Sequence, residues 1–350
     1  MRVTRYIRAL TEVRDGTRDL TEEDAHDLFA AMLDGGVSDL ELGACLMALR
    51  IKGASTAELL GFYRAAAERL YTLRPPASSL KPLVFATYNG ARHEPNLLPL
   101  LVLLLQRIGI PVLLHGTLEG NGRVASVYIL RELGVLPSAS LVHAQKALDD
   151  ELLAFVPTAV LSPGLANLLS LRSRLGVRNP AHHLVTLLDP FAGAAVRVVS
   201  AGQVSHLAAA EAFLAATGFE ALLLHSTEGE PFANPRQRPK IHLFRDGEAS
   251  VLFEEELVPA KHIPSEPPGI EAAVTAQWIR QALAGRVPVP HPLVNQLACC
   301  LFASGYTEDM NQAKAIAVVE AGGLTPPAPG RSANSARAHM RSRKSDAAPG

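Results

Sequence analysis

A polar loop between two apolar segments carries side chains suited to binding an anion. Residues 89–96 contain five residues of that kind, which are Asn89, Gly90, Arg92, His93 and Asn96. Amide, guanidinium and imidazole groups donate hydrogen bonds to oxyanions, and a glycine lets backbone N–H groups approach an anion closely. The loop contains a single acidic residue, Glu94, so hydrogen-bond donors outnumber carboxylates there. The sequence therefore predicts an anion-binding loop here.

The segments around the loop predict where it lies in the fold. Leu83–Tyr88 is apolar and partly β-branched, which is typical of a buried strand, and it stops at the turn signal Asn89-Gly90. Asn96 is expected to cap a helix that runs to about Ile108, and Val112–His115 is the next predicted strand. This strand–loop–helix–strand order indicates a βαβ unit. Its loop follows the carboxyl end of the first strand, where open α/β sheets bind ligands.

Charge is segregated along a chain whose formal net charge is only −1. No acidic residue lies between Glu151 and Asp189, and three arginines cluster within that interval. A second basic run lies at 236–245 and a third at 331–344. A solvated surface explains any single run, but three runs in a nearly neutral chain favour contacts with a phosphate backbone. The predicted nucleic-acid contacts are Arg172, Arg174, Arg178, Arg236, Arg238, Lys240, Arg92 and Arg107.

Motifs of other chemistries are absent from the sequence. There is no Walker A loop, no G-x-G-x-x-G fingerprint and no Cys/His spacing typical of zinc. Two carboxylates, Glu228 and Glu230, follow a predicted strand and are candidate Mg²⁺ ligands, with a solvated acidic turn as the alternative. We expect no catalytic residue and no resident cofactor, and Mg²⁺ only if the chain is a transferase.

Composition predicts a cytoplasmic protein that does not enter a membrane. Hydrophobic residues make up 48% of the 350, which is ample for a core, and the length favours two domains. The three cysteines have no spacing of a disulfide framework, so we expect a reducing compartment. The N-terminal segment lacks the apolar core of a signal peptide, and Leu97–Leu105 is too short to span a bilayer.

Two domains of different class are predicted. Residues 1–73 have helical periodicity, with capping-box patterns starting at Thr21, Ser38 and Ser55. After a linker at 74–79, helices alternate with strands, which favours an α/β domain with a mostly parallel central sheet. We assign 81–151 and 177–325 to this larger domain. Residues 326–350 are rich in Pro, Gly, Ser and Arg and are predicted to be a disordered basic tail.

Longer motifs resemble those of a known family. Leu175–Pro190 is similar to the stretch LGIRTIFNLLGPLLNP of the glycosyltransferase family that contains anthranilate phosphoribosyltransferase, and His115-Gly116 resembles its KHGN loop. Arg172 falls where the anthranilate enzymes have a substrate-contacting arginine. The resemblance implies the nucleoside phosphorylase/phosphoribosyltransferase fold, with the helical domain completed by about 152–176. It also adds His115 and Gly116 to the predicted anion site, as remnants of a phosphoribosyl site.

The sequence departs from this family at the residues that hold the diphosphate donor. Ala86–Gly90 replaces the family's GTGGD loop, so that one glycine remains of three and the acid is lost. Leu114 and Thr117 replace the lysine and asparagine of KHGN, and Gly229-Glu230 replaces the Asp-Glu metal pair. These departures predict loss of the parent reaction.

Three motifs resemble a narrower group, the YbiB-type or second TrpD-like branch. They are YNGAR-x₂-PN at Tyr88–Asn96, LRSRLGVRN at Leu171–Asn179 and TEGE…AN-x-R at Thr227–Arg236. This resemblance implies a homodimer that binds DNA or RNA with weak sequence preference. The alternative is a Mg²⁺-dependent phosphoribosyltransferase acting on an unidentified aromatic acceptor.

Overall fold

Helices form the N-terminal part of the chain in a computed structural model, which describes residues 3–11, 18–258 and 265–322. They are α1 (Thr4–Thr11), α2 (Glu22–Leu33), α3 (Asp39–Lys52) and α4 (Thr56–Ala67). The capping box of α4 is complete, because Ser55 Oγ accepts from Glu58 N at 3.3 Å and Glu58 Oε2 accepts from Ser55 N at 2.8 Å. At α3 the predicted box does not form, since Ser38 Oγ instead donates to the side chain of Glu41. All three predicted helix starts are nevertheless confirmed.

A seven-stranded sheet follows the N-terminal helices. Its strands are β1 (Leu83–Thr87), β2 (Val112–Gly116), β3 (Leu153–Pro157), β4 (Val196–Ala201), β5 (Ala221–His225), β6 (Ile241–Arg245) and β7 (Glu248–Phe253). Their order is β3-β2-β1-β4-β5-β6-β7, parallel from β3 to β5 and antiparallel for β6 and β7. The predicted fold class is confirmed. The parallel strands all end at one edge, so the loops that follow them are neighbours in space.

Helices cover both faces of this sheet. The helices that follow β1 are α5 (Leu98–Ile108), α6 (Ser126–Glu132), α7 (Leu141–Glu151), α8 (Thr158–Leu161), α9 (Pro163–Ser170), α10 (Arg172–Leu175), α11 (Ala181–Leu184), α12 (Val204–Thr217), α13 (Ala272–Leu283), α14 (His291–Ala303) and α15 (Met310–Glu320). The apolar helix α5 is buried in the main core with β1, β2 and α14, as its composition predicts.

One predicted boundary needs correction, and one helix start is set by a contact between loops. The segment 152–176, expected to complete the helical domain, begins with strand β3, and only its part from helix α9 onwards packs against the N-terminal helices. The run Leu153–Pro157 has five apolar residues, and a run of this length is compatible both with a strand and with one turn of a buried helix. The sequence therefore does not decide between the two. Helix α6 starts only at Ser126, because Val124 and Ala91 exchange backbone hydrogen bonds at 2.8 Å. The predicted tail, 326–350, lies outside the described residues.

The three cysteines are buried and free. The reducing, cytoplasmic setting inferred from them stays a prediction. Within residues 3–11, 18–258 and 265–322, no helix combines the length and the apolar composition needed to cross a membrane.

Candidate functional site

A cleft lies where the loops after β1, β2 and β3 meet helices α9 and α10. Its volume is about 450 Å³. Residues of the β1 and β2 ends form one wall, and Arg172 and His182 contribute to the other. Tyr88, the first residue after β1, lines this cleft, but no residue of the predicted anion loop 89–96 does.

The predicted anion loop binds carboxylates of the same chain. Glu230 is fully buried, and its Oε1 accepts hydrogen bonds from the backbone N–H groups of Asn89 at 2.8 Å and Gly90 at 2.7 Å. Glu228 accepts from the backbone N–H groups of Arg92 at 2.5 Å and His93 at 3.0 Å. Both carboxylates come from the turn after β5, which is pressed against the loop after β1.

Hydroxyl groups hold the other oxygen of Glu230. Its Oε2 accepts from Thr87 Oγ1 and from Ser126 Oγ at 3.0 Å. Asn96 does not face an external anion: its Nδ2 donates to Ser126 Oγ at 2.8 Å, and its Oδ1 accepts from Leu98 N at 3.1 Å. Thr87, Asn96 and Ser126 are all buried. Sequence reasoning missed Thr87 and Ser126, because a hydroxyl at a strand end or helix start is usually structural.

This arrangement does not fit a Mg²⁺ site at Glu228 and Glu230. Their oxygens are engaged by N–H and O–H donors, whereas a metal ligand must direct a free lone pair at the cation. Among the described residues, no group of three or more His, Cys, Asp or Glu side chains is placed to hold a metal ion.

His115 and Gly116, the remaining members of the predicted anion site, have structural contacts. His115 is 1% exposed, and its Nδ1 lies 2.8 Å from the hydroxyl of Tyr88. Burial lowers the pKa of His115 to about 4, so its ring is neutral near pH 7 and adds no charge for an anion. A Cβ on Gly116 would lie 2.0 Å from Thr87 O, and the close approach of β1 and β2 therefore requires glycine.

Arg178 is the centre of a cluster of cations. Its pKa is lowered to about 10, mainly by burial and then by the nearby positive charges of Arg172, Arg123 and Arg50, against the opposing effect of Glu230. Within the described part of the chain, none of these four arginines forms an ion pair with a carboxylate. We call Arg50, Arg123, Arg172 and Arg178 the arginine cluster.

The arginine cluster combines separate parts of the chain. Arg50 lies in the last turn of α3, in the N-terminal helical region, and Arg123 lies in the loop between β2 and α6. Neither was predicted, because neither lies in one of the three basic runs of the sequence. Arg123 Nη1 also donates to Gly90 O at 3.3 Å, which places it against the carboxylate-filled loop.

His182 beside this cluster carries no charge near neutral pH. Its pKa is lowered to about 4 by burial and by the charges of Arg178 and Arg172. The positive potential of the cleft therefore comes from arginines, which stay protonated at any pH of interest.

Five of the predicted nucleic-acid contacts are paired with carboxylates. The pairs and their N–O distances are Arg174–Asp39 at 3.3 Å, Arg236–Glu266 at 2.6 Å, Arg238–Glu256 at 3.3 Å, Lys240–Glu254 at 3.6 Å and Arg107–Glu320 at 3.7 Å. Arg92 is an exposed residue of the predicted anion loop itself. The structure thus brings Arg172 and Arg178 together, and it partly neutralises the charge of the five paired residues.

Comparisons with known proteins agree with this architecture. The helical bundle domain of the glycosyl transferase family matches residues 7–70. The chain is 41% identical over 302 residues to YbiB of Escherichia coli K12, which is described as uncharacterized; the match covers 86% of this chain and 94% of YbiB. Anthranilate phosphoribosyltransferase of Methanopyrus kandleri is 26% identical over 287 residues, covering 80% of this chain and 84% of the enzyme.

The fold is shared with solved anthranilate phosphoribosyltransferases. The crystal structure of the Thermus thermophilus enzyme superposes with a TM-score of 0.72 at 23% identity, covering 92% of this chain and 94% of that one. The helical bundle, the sheet and these matches define an anthranilate phosphoribosyltransferase-like member of the glycosyl transferase family. Within that family, the chain belongs to the YbiB-type branch.

Proposed function

We propose that this protein binds nucleic acid, DNA or RNA, through the arginine cluster and with weak sequence preference. The carrying observation is that Arg172 lines the cleft and that the charges of Arg172, Arg123 and Arg50 all act on Arg178. None of the four arginines has an ion pair among the described residues. Clustered cations repel one another, and a polyanion relieves that repulsion. Arginine contacts to phosphates are insensitive to base sequence, which supports weak sequence preference.

The donor loop supports the loss of the parent reaction. Glu230 and Glu228 accept hydrogen bonds from the backbone groups of Asn89, Gly90, Arg92 and His93. A diphosphate donor would have to displace both carboxylates, and the Mg²⁺ that accompanies such a donor would find their oxygens engaged. We therefore propose binding without phosphoribosyl transfer.

Fluorescence anisotropy of a labelled single strand and a duplex, titrated with protein across a salt series, tests this function. Four neutralised phosphates on a single strand predict a slope of log affinity against log salt of about −3. Replacing Arg172 and Arg178 by Glu should abolish binding and leave the circular dichroism spectrum unchanged. Arg131→Glu is the matched control, because Arg131 is an exposed arginine at the end of α6. If the double variant binds like the wild type, the cluster is not the site.

Phosphoribosyl transfer is the second candidate, and the comparisons support it better than they support nucleic-acid binding. The relatives reported above that are named for an activity are anthranilate phosphoribosyltransferases, and YbiB is named for none. The proposed transferase would hold an acidic aromatic acceptor at Arg172, which lines the cleft. A rise in melting temperature with 5-phosphoribosyl diphosphate and Mg²⁺ would favour this function, because a ligand that binds only the native state stabilises it.

We propose in addition that the chain forms a homodimer through α3. Leu40, Ala44, Met47 and Ile51 recur at helical spacing on one face of that helix, and Leu40 and Ile51 are 86% and 81% exposed. A continuous apolar stripe is typical of a helix that packs against a second copy. Arg50 is next to Ile51, so the arginine cluster of each protomer would lie near the two-fold axis.

A further inference from the structure

A loop with four backbone N–H donors faces two carboxylates rather than solvent. The N–H groups of Asn89 and Gly90 donate to Glu230, and those of Arg92 and His93 donate to Glu228. Successive N–H groups of this kind form an oxyanion site in other proteins. We infer that Glu230, assisted by Glu228, is an internal occupant of this loop and excludes an external phosphate from it.

The position of Glu230 favours this role over that of a surface acid. Its side chain is fully buried, and its two oxygens accept from two backbone N–H groups and two hydroxyls. Such a carboxylate has the charge and the acceptor geometry of a bound anion. Because it is tethered to the chain, its effective concentration at the loop is far above that of any free phosphate.

The backbone of the turn allows the close approach that this occupancy needs. Glu228 and Gly229 adopt φ values of +53° and +90°. Asn89 Nδ2 donates to Gly229 O at 2.6 Å, and a Cβ on Gly229 would lie 2.3 Å from that nitrogen. The turn therefore presses directly on the loop, and glycine at 229 is required for the contact.

Glu230 also affects the cations beside the loop. Its negative charge raises the pKa of Arg178, opposing the effect of the neighbouring arginines. The carboxylate of Glu230 thus compensates part of the positive charge of Arg178. The charges of the other arginines of the cluster remain available to a ligand in the cleft. Only this last consequence rests on the proposed nucleic-acid function; the occupancy of the loop stands on the contacts of Glu230 and Glu228.

Hydrogen exchange of the amides at 89–93, measured with and without inorganic phosphate, tests the inference. In the wild type these amides should be protected and should not respond to phosphate. In Glu230→Ala, the amides of Asn89 and Gly90 should exchange about tenfold faster, since each loses a charge-assisted bond. Added phosphate should restore their protection. Glu94→Ala is the matched control. Glu94 is an acid of the same loop, but its carboxylate accepts no hydrogen bond from the described amides of that loop.

Glu228→Ala gives an independent measurement should Glu230→Ala not fold. Glu228 is only partly buried, and its removal should free the amides of Arg92 and His93 for phosphate in the same way. A folded Glu230→Ala or Glu228→Ala protein whose loop amides exchange like those of the wild type, or ignore phosphate, would overturn the inference. The anisotropy experiment above decides the nucleic-acid function separately, because its variants lie in the arginine cluster.

Discussion

Arg197 Nη2 lies 3.5 Å from the carboxylate of Asp189, and both side chains are buried. The guanidinium also donates to Tyr63 Oη at 3.3 Å and stacks on Phe219, with 4.1 Å from Cζ to the ring centroid. Asp189 accepts in addition from the backbone N–H groups of Phe191 and Gly193. Arg197 thus connects β4 to Asp189 in the loop before that strand and to Tyr63 in helix α4.

We predict that Asp189→Asn destabilises the protein by about 3–5 kcal/mol, because it leaves a buried guanidinium without its counter-charge. The free energy of urea unfolding measures this loss. Asp39→Asn is the control, since the Asp39–Arg174 pair is exposed and should contribute less than about 1 kcal/mol. Equal losses for the two variants would contradict the assigned role of the buried pair.

His115 should make the protein less stable in acid. Its pKa is about 4 in the folded state and 6.5 for a free side chain. Between about pH 6.5 and pH 4 the unfolded chain binds a proton that the folded chain does not, so stability falls as pH is lowered through this window. The full contribution of this group is about 3 kcal/mol. His115→Asn should reduce the loss of unfolding free energy between about pH 6.5 and pH 4. The control His143→Asn, at an exposed site on α7, should leave that loss unchanged.

Gly116→Ala should destabilise the sheet edge at the cleft. The new methyl group would lie 2.0 Å from Thr87 O, so β1 and β2 must separate, at a cost of about 1–3 kcal/mol. Gly43→Ala is a matched substitution with the opposite expected sign. Gly43 lies within α3 with no other group within 4 Å of the added Cβ, so alanine should stabilise the helix by up to about 1 kcal/mol. Thermal unfolding of both variants measures the difference.

The proposed dimer predicts a change of sedimentation behaviour. Leu40→Glu with Ile51→Glu places charges in the apolar stripe of α3 and should convert the dimer to a monomer, because burying unpaired carboxylates opposes association. Val142→Glu, at a residue of α7 that is 77% exposed, should leave the dimer intact. A wild-type protein that sediments as a monomer at all concentrations would refute the assignment.

The cysteines should be inert in the native protein. Burial raises the pKa of Cys45 to about 11, and it raises the pKa values of Cys299 and Cys300 as well. Because the thiolate is the reactive form, a thiol reagent should modify none of the three before unfolding and all three in denaturant. Rapid labelling of the native protein would show that a cysteine is accessible.

The sequence by itself determined the elements whose signals are local. The strand–loop–helix unit from Leu83 to Ile108 follows from a short apolar strand, a turn and a continuous apolar helix, and the helix starts after Thr21, Ser38 and Ser55 follow from their caps. The meeting of the ends of β1, β2 and β3 at one cleft followed in turn from the rule that parallel strands end together. Family motifs in the sequence also indicated the fold class.

Only the tertiary structure decided what the site contains. Glu230 meets Gly90 across 140 positions of the chain, and no local pattern encodes which acid faces a given loop. For the same reason, the charges of Arg50 and Arg123 act on Arg178 although both residues are far from it in the sequence. Conversely, the basic run at 236–245 has no neighbouring acid in the sequence to pair with Arg236, but in the fold Arg236 forms an ion pair with Glu266. Charges compensate one another through space, so their pairing is fixed by packing and not by spacing along the chain.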